Sequence, residues 1–155
     1  MTMGYIRTIR EAVAAVLIAD VDVAAAFAKG RIYDFATTAK WPGDLTKSDC
    51  PALVVGPGRA PRRYATNRNA DVQVGVDLTI VSDSRDAGEV EDLFCLIEDA
   101  INANAPSFGL AGAASPHLVD IRDADFAPFE EAVSQERGIW WKCETGIIAT
   151  IRRTV

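Results

Sequence analysis

The residues of this chain that could do chemistry are few, and their spacing forms no catalytic motif. His117 is the only histidine among 155 residues, and Ser115 precedes it by two positions. No Gly-x-Ser-x-Gly segment is present to expose a nucleophilic serine. A Ser–His–Asp triad stays open as an alternative, but we interpret His117 as a residue at the entrance of a strand. We predict that the protein is not an enzyme and has no catalytic residues.

The densest acidic cluster consists of Asp120, Asp123 and Asp125. Carboxylates are ligands for divalent cations, but the glycine and glutamate positions of an EF-hand loop are missing. We predict a strand over residues 118–126, and alternation along it places Asp120 on the face opposite Asp123 and Asp125. We therefore predict no metal site and favour a solvated or inter-subunit sheet edge, since charged edges discourage unwanted strand pairing.

The remaining candidates for metal or cofactor binding are also weak. Cys50, Cys95 and Cys143 are far apart, so they have no zinc-ligand spacing, and their odd number favours reduced thiols and a cytoplasmic setting. The glycine-rich segment Gly56-Pro57-Gly58 lacks the Gly-Lys-Ser/Thr ending of a phosphate loop. We predict no cofactor.

The overall composition is that of an acidic, packed globular protein. Sixteen Lys and Arg residues against 22 Asp and Glu residues give a formal net charge of −6, and 49% of the residues are hydrophobic. This balance argues against general binding to a nucleic-acid backbone. The longest apolar run, from Ala12 to Ala19, is too short for a membrane span, so we predict no membrane partner.

Positive charge is concentrated in one segment, which we call the arm. The stretch from residue 57 to 69 contains four arginines and no acidic residue, so it carries +4 and the rest of the chain −10. We predict that its ends join paired strands, and that it contacts an acidic surface on a neighbouring subunit. A solvated loop and a nucleic-acid contact are the alternatives. The candidate contact residues are Arg59, Arg62, Arg63, Tyr64 and Arg68.

Two adjacent tryptophans, Trp140 and Trp141, must point to opposite sides of a strand. The alternation of the surrounding residues places Trp141 on the core side and Trp140 on the other. A large aromatic side chain on the outer face is typical of an interface anchor. Trp140 is therefore a further candidate for an interface with another protein subunit, and coverage within the monomer is the alternative.

Hydrophobic periodicity predicts the elements that position these residues. Apolar residues at helical spacing predict helices, and alternation over residues 71–80 predicts a half-buried strand. Asp86 and Glu89 resemble a capping box at the start of the second long helix. The predicted helices span residues 4–19, 23–29 (a short piece) and 86–104, and the predicted strands span residues 31–35, 52–55, 71–80, 118–126 and 139–152.

These elements predict an α+β fold. We expect an antiparallel-dominated or mixed sheet of four to five strands, with two helices packed on one of its faces. No internal repeat or linker divides the sequence, so we predict a single domain over residues 1–155. Loops are expected at residues 36–50 and 56–70.

The order of elements resembles the tail terminator, or tail-completion, proteins of long-tailed bacteriophages, prophages and gene transfer agents. The resemblance covers nearly the whole chain, apart from the alanine-rich start and the loop at residues 36–50. It is carried by the N-terminal helix and by the segments RIYDF, PALVVGPG, VQVGVDLTIV, EVEDLFCLIEDAINA and GIWWKCETGIIATIRR.

The resemblance implies a structural virion protein, located in the tail or neck and assembled in the host cytoplasm. It implies a six-membered homo-oligomeric ring that caps the tail tube, stops tube polymerisation and docks the head. Its partners would be the tail-tube protein and a head-completion protein, and DNA would pass through the lumen without specific binding. The alternatives are a head-closure protein, a tail-tube subunit, or a small ligand-binding module or enzyme of unknown chemistry.

Overall fold

The computed structural model describes residues 5–27, 31–34, 45–63, 69–104, 116–128, 138–139 and 141–154. These residues form three helices, a short 3-10 turn and six strands. In chain order the elements are α1 (Tyr5–Ala19), α2 (Val21–Ala26), β1 (Ile32–Asp34), the 3-10 turn (Lys47–Asp49), β2 (Ala52–Arg63), β3 (Asn69–Ser82), α3 (Gly88–Asn104), β4 (Pro116–Ile121), β5 (Asp125–Pro128) and β6 (Trp141–Thr154).

The strands form one sheet in the order β1-β2-β3-β6-β4, and β5 also pairs with β6. Only β1 and β2 are parallel among the pairs described, and the other pairs are antiparallel. The predicted α+β class with a mixed, mostly antiparallel sheet is confirmed. The predicted number of four to five strands is wrong, because the expected strand over residues 118–126 is interrupted between β4 and β5.

Hydrogen bonds to β6 fix the interruption between β4 and β5. The Arg122 N–H donates to the Gly146 carbonyl at 2.7 Å, and the Thr145 hydroxyl donates to the Arg122 carbonyl at 2.8 Å. These bonds hold residues 122–124 against β6 outside the regular ladder.

The interruption also changes which side chains share a face of the sheet. Asp120 pairs with Ile148 and Asp125 pairs with Glu144, so the two aspartates lie on the same face. The predicted placement of Asp120 and Asp125 on opposite faces is therefore wrong.

The apolar stripe of α1 packs on the sheet as predicted. Ile9, Val13 and Leu17 are completely buried in the main core, with Ile6 packed at its margin. Burial of this stripe matters because short helices are marginal in water. At Gly58 of β2 a side chain would collide with Ile6, so glycine allows α1 to approach the sheet closely.

Asp20 separates the first two helices and starts the second. Its carboxylate accepts hydrogen bonds from the N–H groups of Asp22 and Val23, both at 3.0 Å. This is the usual role of an aspartate at a helix N-cap. The short helix α2 then contributes Val23 and, just after its end, Phe27 to the same core as α1 and α3.

The capping box predicted for α3 forms only in part. The Asp86 carboxylate accepts from the Gly88 N–H at 3.0 Å, as a cap should. Glu89, however, accepts from the Ser82 hydroxyl at 2.7 Å, and the Asp86 N–H donates to the Ser84 hydroxyl oxygen at 3.2 Å. Glu89 thus ties α3 to the end of β3.

Apolar residues cover both faces of the sheet, but to different extents. The face towards the helices carries the main core, which includes Leu53, Val76 and Ile147. At the β1–β2 end the opposite face, which we call the second face, is covered by a smaller cluster that includes Leu45, Val54 and Ile139. Leu45 and Cys50 belong to the predicted loop at residues 36–50, whose residues 36–44 lie outside the described part of the chain.

The predicted loop at residues 56–70 is largely strand. Strand β2 continues to Arg63 and β3 begins at Asn69, and the two pair as far as Arg63 with Val72. Register shifts follow Val55 and Arg59, which is where β-bulges bend and twist a strand. Periodicity missed the extension because Gly-Pro-Gly and the arginines have no alternating pattern.

Candidate assembly surfaces

The basic arm is part of a three-stranded end of the sheet, which we call the basic tip. It consists of residues 59–63 of β2, residues 69–71 of β3 and residues 151–154 of β6. The register pairs Arg62 with Gln73, and it pairs Asp71 and Ala70 with Arg152 and Arg153. The C-terminal arginines of β6 therefore join the arginines of the arm at one end of the sheet.

Sequence reasoning missed Arg152 and Arg153 as members of this surface. Their signal was the pair of adjacent arginines at the end of a predicted strand, but only the β3–β6 register places them beside the arm. With these two residues, the basic tip contains five arginines and the single aspartate Asp71, so its formal charge is +4. The rest of the chain therefore carries −10, which gives the net charge of −6.

The six predicted interface residues are only partly described. Arg59, Arg62 and Arg63 lie on β2. Tyr64, Arg68 and Trp140 lie outside the described residues. Trp141 packs against the main core, as predicted. Its indole N–H donates to the Arg85 carbonyl at 3.0 Å.

A second, acidic surface lies on the second face of the sheet, next to β4 and β5. It is an open depression of about 580 Å³, which we call the acidic depression. Ile148 provides an apolar surface, and Asp123, Asp125 and Glu144 provide carboxylates. Ile121 also borders the depression, but it pairs with Ile147 and packs against the main core on the other face. The three carboxylates give the depression a negative charge that favours a cationic group.

Arg122 lines the depression, but its charge is already engaged. The guanidinium Nη2 donates to Asp77 Oδ1 at 3.2 Å and to the Thr145 carbonyl at 3.3 Å. This position requires glycine at residue 146, because a Cβ there would lie 2.7 Å from the Arg122 Nε and 2.8 Å from the Val76 carbonyl. The Arg122 side chain therefore passes over Gly146 of β6 and links the interruption between β4 and β5 to Asp77 of β3.

A third charged surface is the outer side of α3. The helix contains five acidic residues and neither Lys nor Arg, and Glu91, Asp92 and Asp99 are exposed. This surface is convex, in contrast to the acidic depression. Both surfaces contribute to the excess negative charge outside the basic tip.

The described residues contain no group of three or more His, Cys, Asp or Glu that could hold a metal ion. His117 lies on β4, one residue after its start at Pro116, as predicted for a strand entrance. Its side chain and Ser115 lie outside the described part of the chain. Within the described helices, none is both long and apolar enough to cross a membrane.

Two of the three cysteines are buried thiols that ionise with difficulty. Burial raises the pKa of the Cys50 and Cys143 thiols to about 12. For Cys143, burial is the largest cause of this raised pKa, and the nearby carboxylates of Asp125 and then Glu144 also contribute to it. Cys95 is exposed on α3.

The difference in burial between Cys95 and the other two cysteines predicts that a thiol reagent labels the native protein selectively. At pH 8 a pKa of about 12 leaves roughly one thiol in 10⁴ as the reactive thiolate. We expect one rapid reaction with a thiol reagent, at Cys95, and reaction of all three cysteines in urea. Mass spectrometry of the labelled peptides measures this, with Cys95→Ser as the control. Rapid labelling of Cys143 in the folded protein would contradict the described burial.

The mixed sheet, its layer of helices and two oppositely charged surfaces define a protein suited to association with other proteins. The family model for tail completion protein gp17 matches residues 11–132, and the chain belongs to this family. It is thus a bacteriophage tail-completion protein, a structural component of virion assembly. A search of curated protein sequences gives no match.

The fold is also similar to that of a solved virion component. A chain in the structure described as the virion of a native gene transfer agent (GTA) particle aligns with a TM-score of 0.67 and 14% sequence identity. The alignment covers 92% of this chain and 93% of that chain. At this level of identity, the likeness establishes a shared fold.

Proposed function

We propose that this protein forms a closed ring, with six subunits as the expected number, that caps the end of the phage tail tube. The ring stops tube polymerisation and offers a docking surface for a head-completion protein. Its site is the tail or neck of the virion, after assembly in the host cytoplasm. The observation that carries the proposal is membership of the tail-completion family over residues 11–132.

The distribution of charge supports ring formation by head-to-tail contact. A closed ring of identical subunits uses two different surfaces of each subunit, one for each neighbour. The basic tip and the acidic surfaces are such a pair, and they are on different parts of the chain. Each contact should bury about 800 Å² per partner, as in standard protein interfaces.

The proposed mechanism is steric and breaks no covalent bond. A ring seated on the last tube layer blocks addition of the next one, while its other side remains accessible to the head. DNA crosses the lumen without specific binding. The acidic balance of the chain fits this passage, because negative charge repels the phosphate backbone.

Native mass spectrometry tests the ring directly. We expect a discrete oligomer of about six chains, and we expect that adding it to polymerising tail-tube subunits halts tube growth. Open-ended polymers of this protein alone would indicate a tail-tube subunit instead. A monomer at every concentration, with no effect on tube growth, would reject the proposal.

Arginines of the basic tip should be needed for the ring. We expect Arg62→Glu combined with Arg63→Glu to abolish the oligomer, since like charges at an interface cost several kcal/mol. The matched control is Arg7→Glu combined with Lys47→Glu, which changes the charge equally at exposed positions outside the tip. Native mass spectra at low and high salt measure the effect. If the tip variant assembles as well as the control, the tip is not an interface.

A further inference from the structure

We propose that the acidic depression between β5, β6 and the interrupted sheet edge receives the basic tip of a neighbouring copy of this chain. The inference rests on the proposed ring and identifies both sides of its subunit contact. The residues that receive the tip are Asp123, Asp125 and Glu144, with Ile148 as the apolar contact.

The depression has an arrangement of charge that is unfavourable in an isolated subunit. Asp125 and Glu144 are directly opposite each other on adjacent strands, where like charges are destabilising. Lys142 contacts Glu144 at 3.1 Å, and Arg122 is engaged with Asp77. Among the described residues, neither Asp123 nor Asp125 has a cationic partner. A cation from outside the subunit would relieve this repulsion.

The tip of the same chain cannot supply that cation. Along β6, Glu144 and Arg152 are eight residues apart, which corresponds to about 26 Å in an extended strand. This separation is beyond the reach of one side chain. The tip therefore has an excess of +4, and the same molecule has two carboxylates in the depression, Asp123 and Asp125, without a cationic partner among the described residues. Contact between the tip of one copy and the depression of another would pair the arginines with these carboxylates.

The shape of the depression favours arginine side chains as its occupants. An arginine buries its aliphatic stem against apolar surface while its planar head bonds to carboxylates. Ile148 and the carboxylates of the depression provide both types of contact. The outer side of α3 is also acidic, but it is the convex surface of a helix.

Charge reversal on both surfaces tests the contact by native mass spectrometry. We expect Asp123→Lys with Asp125→Lys to raise the concentration needed for assembly on the order of a hundredfold, since like charges then meet across the interface. A chain carrying these changes together with Arg62→Glu and Arg63→Glu has both surfaces reversed, and it should assemble again. Mixing the two double variants should likewise restore a ring with alternating subunits.

The control for this experiment is Asp92→Lys with Asp99→Lys on the outer side of α3, which should leave the ring intact. The inference is overturned if the depression variant assembles like the wild type, or if the chain with both surfaces reversed stays monomeric while its circular dichroism shows a folded protein. These outcomes leave the proposed function standing if the wild type forms a ring. A wild type that forms no ring rejects the proposed function itself.

Discussion

Replacing Arg10 by alanine should destabilise the folded protein by about 3–5 kcal/mol, because it removes one charge of a largely buried ion pair. Arg10 on α1 forms an ion pair with Asp34 on β1, and only 8% and 13% of the two side chains are exposed. Total stabilities of domains are about 5–15 kcal/mol. The change should therefore unfold a large fraction of the protein under mild denaturing conditions.

Urea unfolding followed by tryptophan fluorescence measures this effect at a concentration where the protein is monomeric. We expect a lower midpoint with an unchanged slope. The matched control is Arg7→Ala, three residues away on the same helix, where the ion pair with Glu11 is exposed and should contribute little. Equal midpoints for the two variants would show that the Arg10–Asp34 pair does not anchor α1 to β1.

A second variant separates the cost of removing one charge of the pair from the contribution of the whole pair to stability. Replacing Arg10 by methionine and Asp34 by leucine removes both charges, and such replacements of buried pairs are often neutral or stabilising. We expect this double variant to recover most of the stability lost by Arg10→Ala. If it is as unstable as the single variant, packing of the Arg10 stem, and not charge, holds the helix in place.

Replacing Phe27 by alanine should cost about 3–5 kcal/mol, the usual range for a phenylalanine in a packed core. Phe27 follows α2, is 1% exposed, and lies in the core shared by the three helices and the sheet. Its N–H also donates to the Val23 carbonyl at 3.0 Å, which closes the end of α2. Loss of the ring leaves a cavity at the point where α2 meets α1 and α3.

Phe126→Ala on β5 is the matched control for this prediction. Phe126 is 39% exposed, and it packs edge-to-face on Phe94 of α3, with ring centroids 5.8 Å apart. Loss of such a pair should cost about 1 kcal/mol. Thermal unfolding of the two variants under the same conditions compares them. Similar losses of stability would mean that Phe27 is not part of the main core.

The main elements could be predicted from the sequence because their patterns are local. The stripe of α1 and the alternation of β3 depend on residues close together in the chain, and burial of one face is enough to select a helix or a strand. The predicted strand over residues 71–80 corresponds to β3, and the predicted helix over residues 86–104 corresponds to α3. The resemblance to tail-completion proteins is confirmed by the family match.

The candidate surfaces could be predicted only in part. The arginines of the arm were visible as a charged segment, whereas Arg152 needed the β3–β6 register to place it nearby. Asp120 and Asp125 were assigned to opposite faces because their strand was expected to be continuous. A hydrogen-bonded interruption at Arg122 changed the phase, and no local pattern encodes it.

The amino-acid sequence alone determined the helices and the central strand, which depend on residue types at short spacing, and the acidic balance, which depends on composition. The resemblance to the tail-completion family came from the order of the elements along the chain. The tertiary structure decided which charges share a surface. Pairing of β6 with β3, and of both β4 and β5 with β6, brings together residues that are far apart in the chain. Long-range pairing depends on the packing of the whole sheet, so the basic tip and the acidic depression emerge only when the strands are in register.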